Sequence, residues 1–166
     1  MFRTIEDFVK SWEVESEFTL SVFSKITDDK LEKKYAENIR SLGRLAWHVT
    51  QTLTELTSKL DLTIIDELEN KPIPKSISEI SEIYKKYSQQ LIQAIQKEWK
   101  DEDLFVIINL YGENWERTRV LSMLMNHQIH HRGQMTVIMR LLDLSVPGIY
   151  GPSKEEWSNY GVEPQE

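Results

Sequence analysis

The amino-acid sequence predicts an all-α fold, a four-helix bundle, on three observations. Four long segments carry apolar residues at the three-and-four spacing of an amphipathic helix. Only one short stretch, Asp103 to Asn114, is rich in the β-branched and aromatic residues of extended chain. The second and third segments are separated by an unpatterned connection, Asp61 to Lys75, that contains Pro72 and Pro74. Proline fixes φ and lacks an N–H donor, so this connection is not helical, and its length suits a crossover along the bundle.

The first helix opens at Thr4, with Asp7 three residues on in the place of a capping-box acid. Its apolar stripe is Ile5, Phe8, Val9, Trp12, Phe18 or Thr19, Val22, Phe23 and Ile26, and Glu13, Glu15 and Glu17 are expected on the solvated side. Thr27-Asp28-Asp29 stops this helix, and the polar run to Arg40 is a connection with a short helix in it. Ser41 is a suitable N-cap for the second long helix, whose stripe runs Leu42, Leu45, Ala46, Val49, Leu53, Leu56 and Leu60. Ser76 with Glu79 predicts a second capping box, opening a helix with Ile77, Ile80, Ile83 or Tyr84, Tyr87, Leu91, Ala94 or Ile95, and Trp99 inside. Asp103 to Asn114 is an extended segment or a small hairpin with no sheet to join. The last long helix starts near Glu116 or Thr118 and ends at about Asp143, before Pro147-Gly148. Beyond it the tail carries Ile149, Tyr150 and Trp157, and is expected to pack back on the bundle.

The bulk composition narrows the function classes. A chain of 166 residues fits a single domain over 1–166. Twenty Lys and Arg against 27 Asp and Glu give a net charge of −7, which disfavours a phosphate-tracking, nucleic-acid-binding surface. There is no cysteine, hence no thiolate nucleophile, no disulfide and no thiolate metal site. Any metal must be held by nitrogen and oxygen. The N-terminal MFRTIEDFVK lacks the apolar core of a signal peptide, and the longest apolar run, Leu104 to Ile108, is far short of a membrane span. A cytoplasmic location, away from membranes, is the expectation.

The chemistry concentrates in the last helix. His127 and His131 are four residues apart, so their imidazoles share one helix face and can converge on one ion. His130 is turned by about 100° from His131, onto the flank with Asn126 and Gln134. Spacing alone leaves two readings: a metal site, or a pair of hydrogen-bonded core histidines. The fourth histidine, His48, lies at the edge of the second helix's apolar stripe. Three imidazoles from two helices would leave coordination positions open for water or substrate. Each ligating ring needs a partner for its other nitrogen, and Gln51, Glu55, Asn126, Gln128 and Gln134 are candidates. Gly133 reads as close approach of another helix or as plain tolerance; Arg132 either snorkels outward or pairs with an acidic neighbour, with the solvated arginine expected.

The segments that carry these histidines resemble a known family. Ser41-Leu-Gly-Arg-Leu-Ala-Trp-His48-Val is similar to the first histidine motif of the DinB/YfiT-like metalloenzymes. His127-Gln-Ile-His-His131-Arg-Gly-Gln134 resembles their second motif, H-x-x-x-H-R-G-Q, and Leu141 to Pro147, Tyr150-Gly-Pro152 and Trp157 are similar to their C-terminal ending. The resemblance implies an up-down-down-up bundle with a long crossover between the second and third long helices. It implies a divalent cation, zinc or nickel first, held by His48, His127 and His131, and frequent homodimers. It also implies a reaction class: transfer of a low-molecular-weight thiol such as bacillithiol or mycothiol to an electrophile, or hydrolysis. Glu55 is the candidate general base, and Arg44, Arg117 and Arg119 are candidates for binding a carboxylated thiol. The competing reading is a non-catalytic, stress-associated module that retains the metal.

Overall fold

The computed structural model describes residues 1–164. Helix α1 (Ile5–Phe23) is opened by the Thr4 box: the Asp7 N–H donates to Thr4 Oγ1 at 3.1 Å and the Thr4 N–H to Asp7 Oδ2 at 3.3 Å. A single turn, α2 (Asp28–Leu31), leads into α3 (Leu42–Thr57), capped by Ser41, whose hydroxyl accepts from the Arg44 N–H at 3.2 Å. Helix α4 (Ile77–Glu98) follows the crossover, and α5 (Arg117–Leu141) closes the bundle. The expected reciprocal box at Ser76 does not form. Its hydroxyl accepts from the Ser78 N–H instead, and Glu79 makes no bond back to it.

The contacts at the helix ends give the directions. Ile5 N–H donates to Asp101 beyond the end of α4, and Ile77 N–H donates to Asp28 beyond the end of α1, so α1 and α4 are antiparallel. Thr63, after α3, bonds Glu98 at the end of α4, so these two run parallel. Thr118 at the start of α5 donates to the Phe2 carbonyl before α1, and Arg117 pairs with Asp61 after α3. The order is therefore up-down-down-up for α1, α3, α4 and α5, with α1 and α3 each packed between α4 and α5.

The crossover is tied down along its length. Trp47 Nε1–H donates to the Lys71 carbonyl at 3.2 Å, Gln51 Nε2 to the Leu68 carbonyl at 2.8 Å, and Thr54 Oγ1 to Asp66 at 2.7 Å. Where α2 crosses α3 the backbones nearly touch. A Cβ at Gly43 would lie 2.9 Å from the Leu31 carbonyl oxygen, so only glycine fits there. The bundle interior holds Phe8, Trp12, Trp47, Leu53, Tyr84 and Leu91, with Trp12 Nε1–H satisfied by Ser88 Oγ at 2.9 Å.

Between α4 and α5 the extended stretch is a hairpin. Strands β1 (Ile107–Leu110) and β2 (Glu113–Glu116) pair antiparallel, with Ile107 opposite Glu116 and Leu110 opposite Glu113. Its two-residue turn, Tyr111-Gly112, has φ values of 53° and 87°, the left-handed pair that matches strand twist in a tight hairpin. The tail after α5 does pack back: Arg140 pairs with Glu155, and the Gly148 N–H donates to Glu156 at 2.9 Å.

Candidate metal centre

His48 enters from the first half of α3 and His127 and His131 from the middle of α5. The two helices are locked in register beside them by Gln128, whose buried amide donates to the Val49 carbonyl at 3.1 Å. This leaves the three imidazoles edge to face, with ring centroids 4.4 to 4.9 Å apart. Their Nε2 atoms converge: His127 Nε2 lies 3.1 Å from His48 Nε2 and 3.0 Å from His131 Nε2. His48, His127 and His131 are the grouping among the described residues whose ligand atoms all lie within 4.8 Å of one another.

These contacts cannot all be hydrogen bonds. His131 Nδ1 lies 2.8 Å from Gln134 Oε1, and a carbonyl oxygen only accepts, so the proton of neutral His131 is on Nδ1. Its Nε2 then presents a lone pair to the cluster. His127 Nε2 carries at most one proton and cannot donate to both neighbours. Whichever tautomers His48 and His127 adopt, at most one of the two Nε2 contacts is therefore a hydrogen bond, and the other is left unsatisfied at about 3 Å unless a cation lies between the rings. With metal–nitrogen bonds of about 2.0–2.1 Å, neighbouring ligands of a tetrahedral shell are about 3.3–3.4 Å apart. The observed separations are close to that edge, and the donor set fits a borderline divalent cation such as zinc or nickel.

Burial tunes the rings for this role. It pushes the His48 imidazole down to about 4, helped by positive charge at His131, Arg40 and Arg44. His127 is likewise pushed down to about 4 by burial and by its histidine neighbours, against a smaller opposing pull from Glu55. His131 is also lowered by burial, with the Gln134 bond opposing. At neutral pH all three rings are uncharged and their lone pairs are available for a metal.

The other partners sort differently from expectation. Gln134 orients His131, and its amide nitrogen, 3.0 Å from His130 Nε2, donates to it. His130 is exposed and does not join the cluster, as its place on the wheel implied. Gln51 is spent on the crossover, and Gln128 on Val49. Glu55 does not reach the cluster; it accepts from the Tyr111 hydroxyl at 2.7 Å and lines a cavity of about 500 Å³ with His48, Arg44, Lys59 and Asp66. His127 Nδ1 is buried with no partner among the described residues.

Two arginines proposed for the pocket mouth are elsewhere. Arg117 is buried, paired with Asp61 at 3.0 Å and stacked on Trp99, and Arg119 lies over the Trp115 ring at 3.9 Å. Of the three, Arg44 lines a cavity with His48. The close-approach reading of Gly133 also fails, since nothing lies within 4 Å of where its Cβ would be.

The expectation that Arg132 and Glu15 are solvated is overturned as well. The Arg132 side chain is 3% exposed and ion-paired with Glu15, itself 12% exposed. Arg132 also donates to the Glu15 carbonyl at 2.8 Å, to Thr19 Oγ1 at 3.2 Å and to the Tyr150 hydroxyl at 2.8 Å. The signal was in the sequence: Gln128, Arg132, Met135 and Met139 are spaced four, three and four apart, a buried stripe of α5 that includes Arg132.

Comparison with known proteins agrees with this architecture. The chain is 41% identical over 163 residues to the uncharacterized protein YrdA of Bacillus subtilis strain 168, covering 98% of each. Its fold is similar to the crystal structure of a DinB-like protein from Bacillus cereus ATCC 10987, with 39% identity and a TM-score of 0.85 over 90% of this chain and 100% of that one. The fold alone is shared with a DinB-like protein of Bacillus subtilis, YjoA, at 18% identity and a TM-score of 0.69 over 88% and 98% of the two chains. The model of the DinB family matches residues 1–166, and the chain belongs to that family.

Proposed function

We propose that this protein is a metal-dependent enzyme that activates a thiol co-substrate, or water, against an electrophilic small molecule. The observation that supports this best is the convergence of three Nε2 atoms whose contacts cannot all be hydrogen bonds. A divalent cation held there by His48, His127 and His131 supplies Lewis acidity, lowering the pKa of the thiol or water it binds. Three protein ligands leave room for that group, the pattern of a catalytic rather than a closed structural site.

The chain's own residues prepare this chemistry. Gln134 fixes the tautomer of His131, and burial keeps His48 and His127 unprotonated at neutral pH. The protein has no thiol of its own, so a transferred sulfur must come from a co-substrate. Glu55, held by Tyr111 in the cavity beside His48, is the acceptor we assign for the proton released on activation. Thiol transfer is favoured over hydrolysis because cavities flank the histidines on two sides, one bordering His48 and one bordering His131. That is room for two substrates.

The test is thiol consumption by metal-loaded protein in the presence of epoxides or alkyl halides, with ester and amide hydrolysis followed in parallel. Metal-dependent turnover that falls in Glu55→Gln, with metal content unchanged, is expected. A stoichiometric metal complex that turns over none of these substrates would overturn the enzyme reading in favour of a non-catalytic metal-binding module.

A further inference from the structure

The two cavities beside the histidines differ in chemistry. The one bordering His48 is lined by charges of both signs, among them Arg44, Lys59, Glu55, Asp66 and Glu69. The one bordering His131 has a volume of about 640 Å³, within the range of small-molecule sites. Its walls are apolar at Ile39, Leu45, Val137 and Ile138, and none of its lining residues is acidic. Val137 is 60% exposed, so an unpaired apolar wall faces this space.

The single charged residue on this lining is Arg40. In a chain of net charge −7, Arg40 has no ion pair or hydrogen-bonded side-chain partner among the described residues. The two buried arginines are committed: Arg117 to Asp61, and Arg132 to Glu15. Arg40 shares this lining with His131, the histidine that borders the cavity from the cluster.

We propose that this cavity is a binding chamber for an amphiphilic anion, with its apolar body against Ile39, Leu45, Val137 and Ile138 and its carboxylate or sulfonate on Arg40. The chemistry excludes the other classes. A cation would meet Arg40 with no acid to offset it, and a fully polar ligand would leave the apolar walls unpaired with anything. A guanidinium binds a carboxylate through two parallel N–H···O bonds, so it selects the anionic head over a neutral isostere. The assignment rests on the reading of the histidine cluster as the reactive centre, because it places one substrate of that centre.

Isothermal titration of metal-loaded protein with octanoate and with octan-1-ol tests the chamber without any turnover. Octanoate is expected to bind about tenfold more tightly, the effect of one charge-assisted bidentate contact. Arg40→Gln is expected to remove this preference, and Val137→Glu, at an exposed position, to weaken octanoate in proportion. The same titration on His127→Ala separates Arg40 from direct capture of the carboxylate by the ion. Preference retained there and lost in Arg40→Gln supports the chamber, even if the metal-loaded enzyme proves inert and the catalytic reading fails. No octanoate binding, equal binding of the two probes, or a preference that survives Arg40→Gln would overturn it.

Discussion

Neighbouring residues of α5, His131 and Arg132, begin two polar clusters on different sides of the same helix, about 100° apart. Arg132 turns toward α1 and the tail, where Glu15, Thr19 and Tyr150 take its protons, and the Tyr150 hydroxyl donates onward to Glu15 at 2.8 Å. His131 turns toward α3, where His127 and His48 offer only further imidazole nitrogens. The first cluster is complete: its donors meet acceptors and its charges cancel. The second is incomplete, because its two Nε2 contacts cannot both be hydrogen bonds. A saturated buried network holds elements together; an unsaturated one, with its lone pairs aimed at one point, is built to receive something.

The contrast can be broken most forcefully at the saturated cluster. Arg132→Met leaves Glu15 buried without its cation, and removal of one partner of such a pair costs about 3–5 kcal/mol. Denaturant unfolding is expected to register that loss, while the metal stoichiometry of the folded fraction is unchanged. If the variant kept its stability but lost metal, the two clusters would be one functional unit. At the unsaturated cluster, Gln134→Ala frees the His131 ring without removing a ligand. Loss of such an orienting partner lowers metal affinity about 10–100-fold, to be read in a chelator competition. Melting temperature is expected to stay near that of the wild type, since Gln134 is exposed.

Acid should likewise separate the two. His48 and His127, pushed down to about 4 when folded, have ordinary imidazole values near 6.5 when unfolded. Between those values the unfolded chain binds more protons, so their contribution to stability is full above about 6.5 and fades as pH falls toward 4. Metal-free protein is therefore expected to lose stability over that window in a pH series of urea melts. A histidine-to-glutamine change at position 127 should flatten the slope. The smallest effect concerns Gly133, exposed in mid-helix with open space around its missing Cβ. Gly133→Ala is expected to raise stability by about 0.5–1 kcal/mol in thermal unfolding and to leave metal binding alone.

The bundle was legible because its signals are periodic and local. Stripes at helical spacing, the Ser41 cap and the two prolines of the crossover each act within a few residues of where they stand. The grouping of the three histidines was legible for a similar reason: His127 and His131 share a face by spacing, and His48 was joined to them from the edge of its stripe and by the family resemblance. What the sequence hid is pairing across helices. Arg132 and Glu15 are 117 residues apart, and each alone looks like a solvated charge; only their meeting makes burial tolerable. Arg117 was read as a binder of a carboxylated thiol for want of its partner Asp61, 56 residues earlier and just after α3. Gly43 gave no sign that it was the glycine under steric constraint, because the Leu31 carbonyl that excludes a Cβ arrives from another element.

The central claim is that the incomplete cluster receives a divalent cation. Equilibrium binding of zinc and nickel to protein first stripped with a chelator, with elemental analysis of the products, tests it most directly. One ion per chain is predicted, with uptake abolished in His127→Ala and kept in His130→Ala, both variants retaining their helical circular dichroism. Unchanged affinity in folded His127→Ala, or no uptake by the wild-type protein, would contradict it.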